Sequence, residues 1–313
     1  MSEQEYLLDI PMCVYNHGKY IAQAIEGVIN QQTDFKYRLI IGEDCSTDNS
    51  REIIQKCVEN YPSIIKVFFH DKNIGTVENS RILFRESKAK YVALCDGDDY
   101  WTDRDKLQKQ IDFLEQNPDF AICFHNSRIL NEDAPEEISY SNAMDQVEIT
   151  TFDDLARGEY IYTATCVFRN EHFKKFPEKY YSFMNNYTLD LHNAQFGKIK
   201  YINEVMSVYR KHRGGIWSMV ARERTLMNQL PTYKFYLDYF GMKYRHYFIR
   251  HVKNITNELM LIIVANRDYK NFWRYYKEYV YYNIKDRNKI KRIAYVLLKA
   301  NYDKFKQLVG GNG

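Results

Sequence analysis

Residues 90–101, KYVALCDGDDYW, decide how the rest of this chain is read. Tyr91, Val92, Ala93, Leu94 and Cys95 form a short apolar run of the kind that makes a buried strand. The run breaks into Asp96, Gly97, Asp98 and Asp99, which place three carboxylates among four residues. Like charges at the exit of a buried strand are costly unless something positive sits among them. A divalent cation is the economical answer, and hard oxygen ligands select Mg²⁺ or Mn²⁺. The plainer reading is a solvated acidic turn that caps the next helix, since short acidic motifs are common. The buried strand before the turn and Tyr100-Trp101 after it favour the metal.

Strand and helix patterns alternate upstream. Strands are predicted over 6–14, 37–42 and 64–69, with amphipathic helices over 19–31, 51–61 and 77–87 between them. This is the pattern of an α/β fold with a mostly parallel, doubly wound sheet and helices on both faces. Ligands of such sheets bind beyond the carboxyl ends of the strands. Polar clusters stand at those ends: Tyr15-Asn16, Glu43-Asp44, Asn73 and Asp96/Asp98. There is no GxGxxG and no GxxxxGK[ST], so phosphates must be held in another way, which again favours a metal.

Downstream, the expected elements are a helix over 106–116, a strand over 121–129, an acidic loop over 131–147 and a short helix over 151–157. A strand over 163–168, a helix over 180–196 and a strand over 200–208 follow. Tyr209-Arg210-Lys211-His212-Arg213-Gly214-Gly215 then reads as a basic loop with a Gly-Gly hinge, suited to an anion or to a lid over one. From about Ala221 the strand signals vanish and Tyr, Phe and Lys dominate. The expected organisation is therefore a nucleotide-binding α/β domain over 1–220 and an all-helical extension over 221–313.

The bulk numbers agree with a globular protein: 45% apolar and 27% charged residues, with 28 tyrosines. Net charge is only +3 but unevenly spread. Residues 222–313 carry 19 Lys and Arg against 7 Asp and Glu, or +12, which leaves −9 for 1–221. Six cysteines without a CxxC pair argue for a reducing compartment and against a zinc or disulfide framework. No signal peptide is visible and no apolar run reaches ~18 residues. These features point to a cytoplasmic protein.

The runs PMCVYNHGKYIAQAIEGVINQ, IIGEDCSTDNS, NIG, YVALCDGDDYWTDRDKLQKQ and GKIKYINEVMSVYRKHRGGIWS together resemble the glycosyltransferase family 2 of the GT-A fold, over about residues 6–218. The last run most resembles bacterial members that act in surface-polysaccharide assembly. The resemblance implies an inverting glycosyltransferase that takes sugar from a nucleotide diphosphate, UDP-linked, to a glycan or lipid-linked acceptor. It implies that the first strand around Pro11, with Tyr15 and Asn16, cradles base and ribose, that Asp44 accepts from the base, and that Asn73 lines the same pocket. Asp96 and Asp98 become the Asp-x-Asp motif that holds Mg²⁺ or Mn²⁺ against the diphosphate, with His212 near the metal. The position where the family carries its catalytic Asp is Asn186 here, and Asn is not a base. Asp190 lies one helical turn on along the same face and is the substitute candidate.

Two other readings stay open. A nucleotidyltransferase would need a Gly- and Arg/Lys-rich loop after the first strand, where this chain has YNHGK. A degenerate sugar-nucleotide-binding protein would account for Asn186. His17, His70, His125, His172 and His192 lack metal-ligand spacing and read as ordinary, and Trp101 and Trp217 read as wall or core residues. The basic, aromatic extension suits packing on the catalytic domain or an anionic membrane surface at the inner face of the cell membrane. No nucleic-acid module is present.

Overall fold

The computed structural model describes residues 6–215, 221–266 and 269–283. Trp217 and the tail over 284–313 lie outside the described residues. The chain divides into two compact units, Met1–Ser218 and Met219–Gly313.

The first unit runs β1 (Leu8–Val14), α1 (Ile21–Ile29), β2 (Tyr37–Glu43), α2 (Ser50–Asn60), β3 (Ile65–Phe69), α3 (Thr76–Glu86), β4 (Tyr91–Ala93) and β5 (Tyr100–Trp101). It continues with α4 (Lys106–Gln116), β6 (Phe120–Asn131), β7 (Ser139–Tyr140), β8 (Ile149–Thr150), α5 (Phe152–Leu155), β9 (Val167–Arg169), α6 (Asn170–Phe173), α7 (Asn186–Ala194) and β10 (Lys198–Lys211). One sheet runs β3-β2-β1-β4-β9-β6-β10-β5. The ladders among β1, β2, β3 and β4 are parallel, as is the long one between β6 and β10; β9 and β5 pair antiparallel.

The core follows from strand chemistry. Leu8, Ile10, Met12 and Val14 of β1 are at most 1% exposed, and Leu39, Ile41, Ile21, Ile25 and Val28 pack with them. Each such side chain contributes about 1.5–3 kcal/mol by leaving water. Chain order reverses between β1 and β4, and this is the switch point where α/β sheets open a crevice at their carboxyl ends. The register of β1 with β4 covers only Leu8–Tyr91 and Asp9–Val92, so the two strands part toward that crevice.

Three expectations change. The helix predicted over 180–196 is broken: a 3₁₀ segment over Glu178–Phe183 ends before Asn185, whose side chain accepts the Thr188 N–H (2.8 Å) and starts α7. The strand predicted over 163–168 begins as a 3₁₀ turn, Thr163–Thr165. Tyr209, Arg210 and Lys211 are not loop residues but the end of β10, held by pairing with Ile129, Leu130 and Asn131.

The second unit holds α8 (Arg222–Tyr239), α9 (Gly241–Ala265) and α10 (Tyr269–Asn283). Gly241, at φ +72°, makes the left-handed turn between α8 and α9. Tyr236 and Phe240 close on Phe248 at ring distances of 5.1 and 5.3 Å, above a seam of Val252, Leu259 and Ile263. Among the described residues, no helix is long and apolar enough to cross a membrane.

Candidate active site

The exits of β1 and β4 face each other across the switch point. After β4 the chain stays buried through Cys95, and Leu94 N–H donates to the Cys166 carbonyl (3.2 Å). It then turns tightly, with Asp99 N–H donating to the Asp96 carbonyl (3.1 Å). Gly97 permits the turn to close on β1: a Cβ there would stand 2.8 Å from His17 Nδ1 and 3.0 Å from Val14 Cγ2.

The three carboxylates are in different states. Asp98 Oδ2 lies 3.1 Å from His212 Nε2 and 4.0 Å from His17 Nε2. Burial pushes the Asp98 carboxyl up, but the His212 hydrogen bond and the two imidazoles outweigh it and hold the group below its usual range. Gly214 N–H donates to His212 Nδ1 (3.2 Å), which assigns the ring proton to Nε2, facing Asp98. Asp99 is 1% exposed and accepts the Arg210 N–H (2.9 Å); burial, with its two acidic neighbours, pushes it well above the usual range. Asp96 is pushed up to about 7 by burial and by the charge of Asp98, against a hydrogen bond from Thr163.

Arg210, next to the turn, is already committed. The Arg210 guanidinium donates to the Asp98 carbonyl (2.6 Å) and lies 4.4 Å over the Tyr100 ring. Among the described residues, no Lys or Arg forms an ion pair with Asp96. Two hard carboxylates and an adjacent imidazole are donors of a kind that fits a divalent cation. No set of three or more His, Cys, Asp and Glu side chains among the described residues is gathered to hold an ion alone.

One side of the crevice is built from β1, β2 and the loop after β3. Asn16 and Cys45 take left-handed backbone, φ +58° and +56°, a conformation that non-glycine residues adopt mainly where surroundings over-determine it. Asn16 Oδ1 accepts the Thr47 N–H (2.8 Å), and its own N–H donates to Ser46 (3.0 Å). The Asp44 carboxylate is buried and accepts the N–H groups of Ile74 (2.7 Å) and Gly75 (2.9 Å), while Asn73 donates to the Asp44 carbonyl (3.2 Å). Asp44 and Asn73 thus meet, and Asp44 also holds the loop after β3. Tyr15 is 44% exposed beside them, whereas Pro11 is buried inside β1, opposite Ile40, and reaches the crevice only through the strand it belongs to.

On the opposite wall, the Asn186 amide donates to the Thr163 hydroxyl, which also reaches Asp96. Position 186 is therefore joined to the Asp96–Asp99 turn through one side chain. Asp190, expected to reach in from the next turn, sits deeper. It is 2% exposed, it accepts from Cys166 Sγ (3.6 Å), and burial, with the charge of Glu159, pushes its carboxyl well above the usual range. Burial opposes its ionisation, and its hydrogen-bond partner is a core thiol rather than a group of the Asp96–Asp99 turn.

Sequence reasoning passed over His17 and Thr163, and placed Arg210 in a basic loop suited to an anion rather than on a strand. His17 follows Tyr15-Asn16 directly, and that adjacency was the available signal; Arg210 was hidden by reading the end of β10 as a loop. Trp101 is core: it is 3% exposed, its Nε1 donates to the Ala164 carbonyl (2.8 Å), and buried Lys106 lies 4.0 Å over its ring.

Comparison with known proteins agrees with this geometry. An uncharacterized protein of Mycobacterium bovis is 32% identical over 211 residues, which is 67% of this chain and 60% of the relative. A putative teichuronic acid biosynthesis glycosyltransferase of Bacillus subtilis, TuaG, is 29% identical over 153 residues, 46% of this chain and 59% of the relative. The chain thus spans about 60% of the length of these curated relatives. The crystal structure of S. aureus TarS 1–349 in complex with UDP-GlcNAc superposes with a TM-score of 0.63 at 15% identity, covering 88% of this chain and 80% of that one. Residues 9–177, from the first strand through the Asp96–Asp99 turn and beyond β9, match glycosyl transferase family 2, and the chain belongs to that family.

Proposed function

We propose that this protein is a metal-dependent, inverting glycosyltransferase that moves a sugar from a UDP-linked donor to a glycan or lipid-linked acceptor in polysaccharide assembly. The observation that carries the reading is the Asp96–Asp99 turn at the switch point, with Asp96 uncompensated and Asp98 bracketed by His17 and His212.

Asp96 and Asp98 would hold Mg²⁺ or Mn²⁺, which, when bound, neutralises charge that gathers on the departing diphosphate. The chain's own groups supply the rest. Arg210 and Asp99 fix the backbone of the turn, so its carboxylates are aimed before substrate arrives. His212 orients Asp98 by its hydrogen bond. Asp44, Asn73, Tyr15 and Asn16 form the base and ribose pocket, and Asp44 also fixes the loop that closes it.

A screen of purified full chain with Mn²⁺ against UDP-GlcNAc, UDP-glucose, UDP-galactose and GDP-mannose tests the reading. We expect metal-dependent release of UDP from at least one UDP-sugar. Preference for GDP-mannose would move the donor assignment. Metal-dependent UDP binding without turnover of any donor would favour a degenerate binding protein, the reading that Asn186 supports.

The excess of 12 positive charges over residues 222–313, interleaved with Tyr and Trp, supports docking of this C-terminal part on an anionic membrane, where a lipid-linked acceptor would be. Co-sedimentation of the full chain with phosphatidylserine vesicles should fall at least ~10-fold between 0.05 and ~0.5 M salt, because such attraction is screened within a Debye length. Equal sedimentation with neutral vesicles would refute the docking.

A further inference from the structure

A second concavity lies between α1 and β5. The two elements touch through their backbones: a Cβ at Gly27 would stand 2.8 Å from the Trp101 carbonyl oxygen and 2.9 Å from the Trp101 nitrogen. Beside this contact, α1 and residues 100–104 enclose a half-open cleft of about 250 Å³. Its walls are fixed. Gln31 donates to the carbonyls of Gly27 (3.2 Å) and Asp103 (2.7 Å) and accepts the Leu107 N–H (3.0 Å). Gln32 N–H donates to the Arg104 carbonyl (2.8 Å), and Thr102 N–H to the Met206 carbonyl of β10 (2.9 Å). A cleft held in this way is formed before a ligand arrives, as small-molecule sites usually are.

The lining chemistry selects the ligand. Glu26 and Asn30 stand about one turn apart on α1, and Arg104 lines the cleft from the segment after β5. All three are exposed, and among the described residues their side chains have no hydrogen-bond or ion-pair partner. Asp103, the other charged residue of the lining, is paired with Lys109 (2.8 Å). The unpaired charges are therefore one carboxylate and one guanidinium, which cancel and favour neither a phosphate nor a cation. Carboxylate, carboxamide and guanidinium together offer acceptors and donors, which is what hydroxyl groups need, since each both gives and takes a hydrogen bond. The volume lies below the ~300 Å³ at which drug-sized sites begin. A single neutral, hydroxyl-rich ring, a sugar residue, matches both size and chemistry.

The cleft adjoins the Asp96–Asp99 turn. Tyr100 follows Asp99 directly in the chain, and Tyr100 and Gln23 both line the cleft. The Arg210 guanidinium lies 4.4 Å over the Tyr100 ring and donates to Gln23 Oε1, and it also donates to the Asp98 carbonyl (2.6 Å). One arginine thus touches the wall of the cleft and the turn.

We propose that the cleft between α1 and β5 is a saccharide subsite, which holds one sugar residue of the glycan acceptor apart from the residue that reacts. That the sugar belongs to an acceptor rests on the glycosyl-transfer reading; the binding does not. Glu26 accepts from the sugar hydroxyls, and Asn30 and Arg104 donate to them.

Saturation-transfer NMR on the full chain, with the methyl glycosides of glucose, galactose, mannose and N-acetylglucosamine as probes, tests the subsite. At least one glycoside should bind with a dissociation constant on the order of 1 mM. Glu26→Ala combined with Asn30→Ala should weaken that binding at least ~10-fold, and so should Arg104→Ala, because each change removes hydrogen bonds to or from a charged group. UDP binding in the presence of Mn²⁺ should stay within about threefold in all of them, since exposed substitutions away from a site change little. The variants come from two walls, so a folding defect in one, visible in thermal melting, leaves the other to decide. No binding of any of the four glycosides at about 20 mM overturns the subsite, even in a chain that turns over a donor. Binding that both sets of variants retain overturns it as well. Binding that both lose, in a chain that turns over no donor, upholds the subsite and fails the transferase reading instead.

Discussion

Replacing Asp98 by Ala is expected to abolish metal-dependent UDP binding, with a loss of more than ~10² in affinity, and to remove turnover. A magnesium or manganese site of this kind relies on one or two carboxylates, so losing the ionised one is severe. Asp98 is that one: its imidazole neighbours hold it below the usual range, whereas burial holds Asp96 and Asp99 above it. Changes at groups that merely orient a ligand typically cost 10–100-fold in metal affinity, so the ligand itself should cost more. The metal-free variant should melt within a few degrees of wild type, because one of three crowded negative charges has gone and Asp96 and Asp99 are relieved of its repulsion. Calorimetry with UDP, with and without Mn²⁺, measures the first effect and thermal melting the second. Unchanged metal-dependent binding would refute the assignment of the ion to this turn.

Asp9→Ala should act in the opposite way, on stability rather than on the site's chemistry. Asp9 is fully buried in β1 and accepts four hydrogen bonds: from Arg38 Nε (3.0 Å) and Nη2 (3.3 Å), Lys88 N–H (2.7 Å) and Ala89 N–H (2.9 Å). Truncation strands two buried backbone donors and leaves Arg38 without its main partner. Breaking a buried pair of this kind costs about 3–5 kcal/mol, partly offset here because Arg38 keeps Glu86 at 3.8 Å. At about 2–4 °C per kcal/mol for a unit of this size, the melting temperature should fall by roughly 6–20 °C. Asp9→Asn, which keeps an acceptor, should lose less. A drop below ~1 kcal/mol in denaturant unfolding would refute the clamp. The position also matters for function: Lys88 and Ala89 lead into β4, so this carboxylate sets where the Asp96–Asp99 turn leaves the sheet.

The two substitutions divide the carboxylates of this unit into kinds. Asp9 and Glu43 are buried with full sets of partners, the latter accepting from Ser46 N–H and Arg51 Nε at 2.6 Å each. They hold strand ends in place. Asp96 and Asp98 are brought together with no Lys or Arg ion pair to either among the described residues. Uncompensated charge is what an active site keeps and a scaffold removes.

By itself, the sequence determined the α/β alternation, the parallel strands and the Asp-x-Asp turn, because strand period, helix period and an acidic break after an apolar run are local properties of the chain. It also separated the strand-rich front from the helical, basic rear at about Ala221, beside the division after Ser218. Only the tertiary structure decided what each charged group does. Asp190 lies one turn from Asn186 on α7, and the two meet Cys166 and Thr163 of one segment. Depth, however, is not periodic: the outer residue meets the crevice and the inner one meets a thiol in the core. His17 looked ordinary because its partner, Asp98, is 81 residues away in sequence.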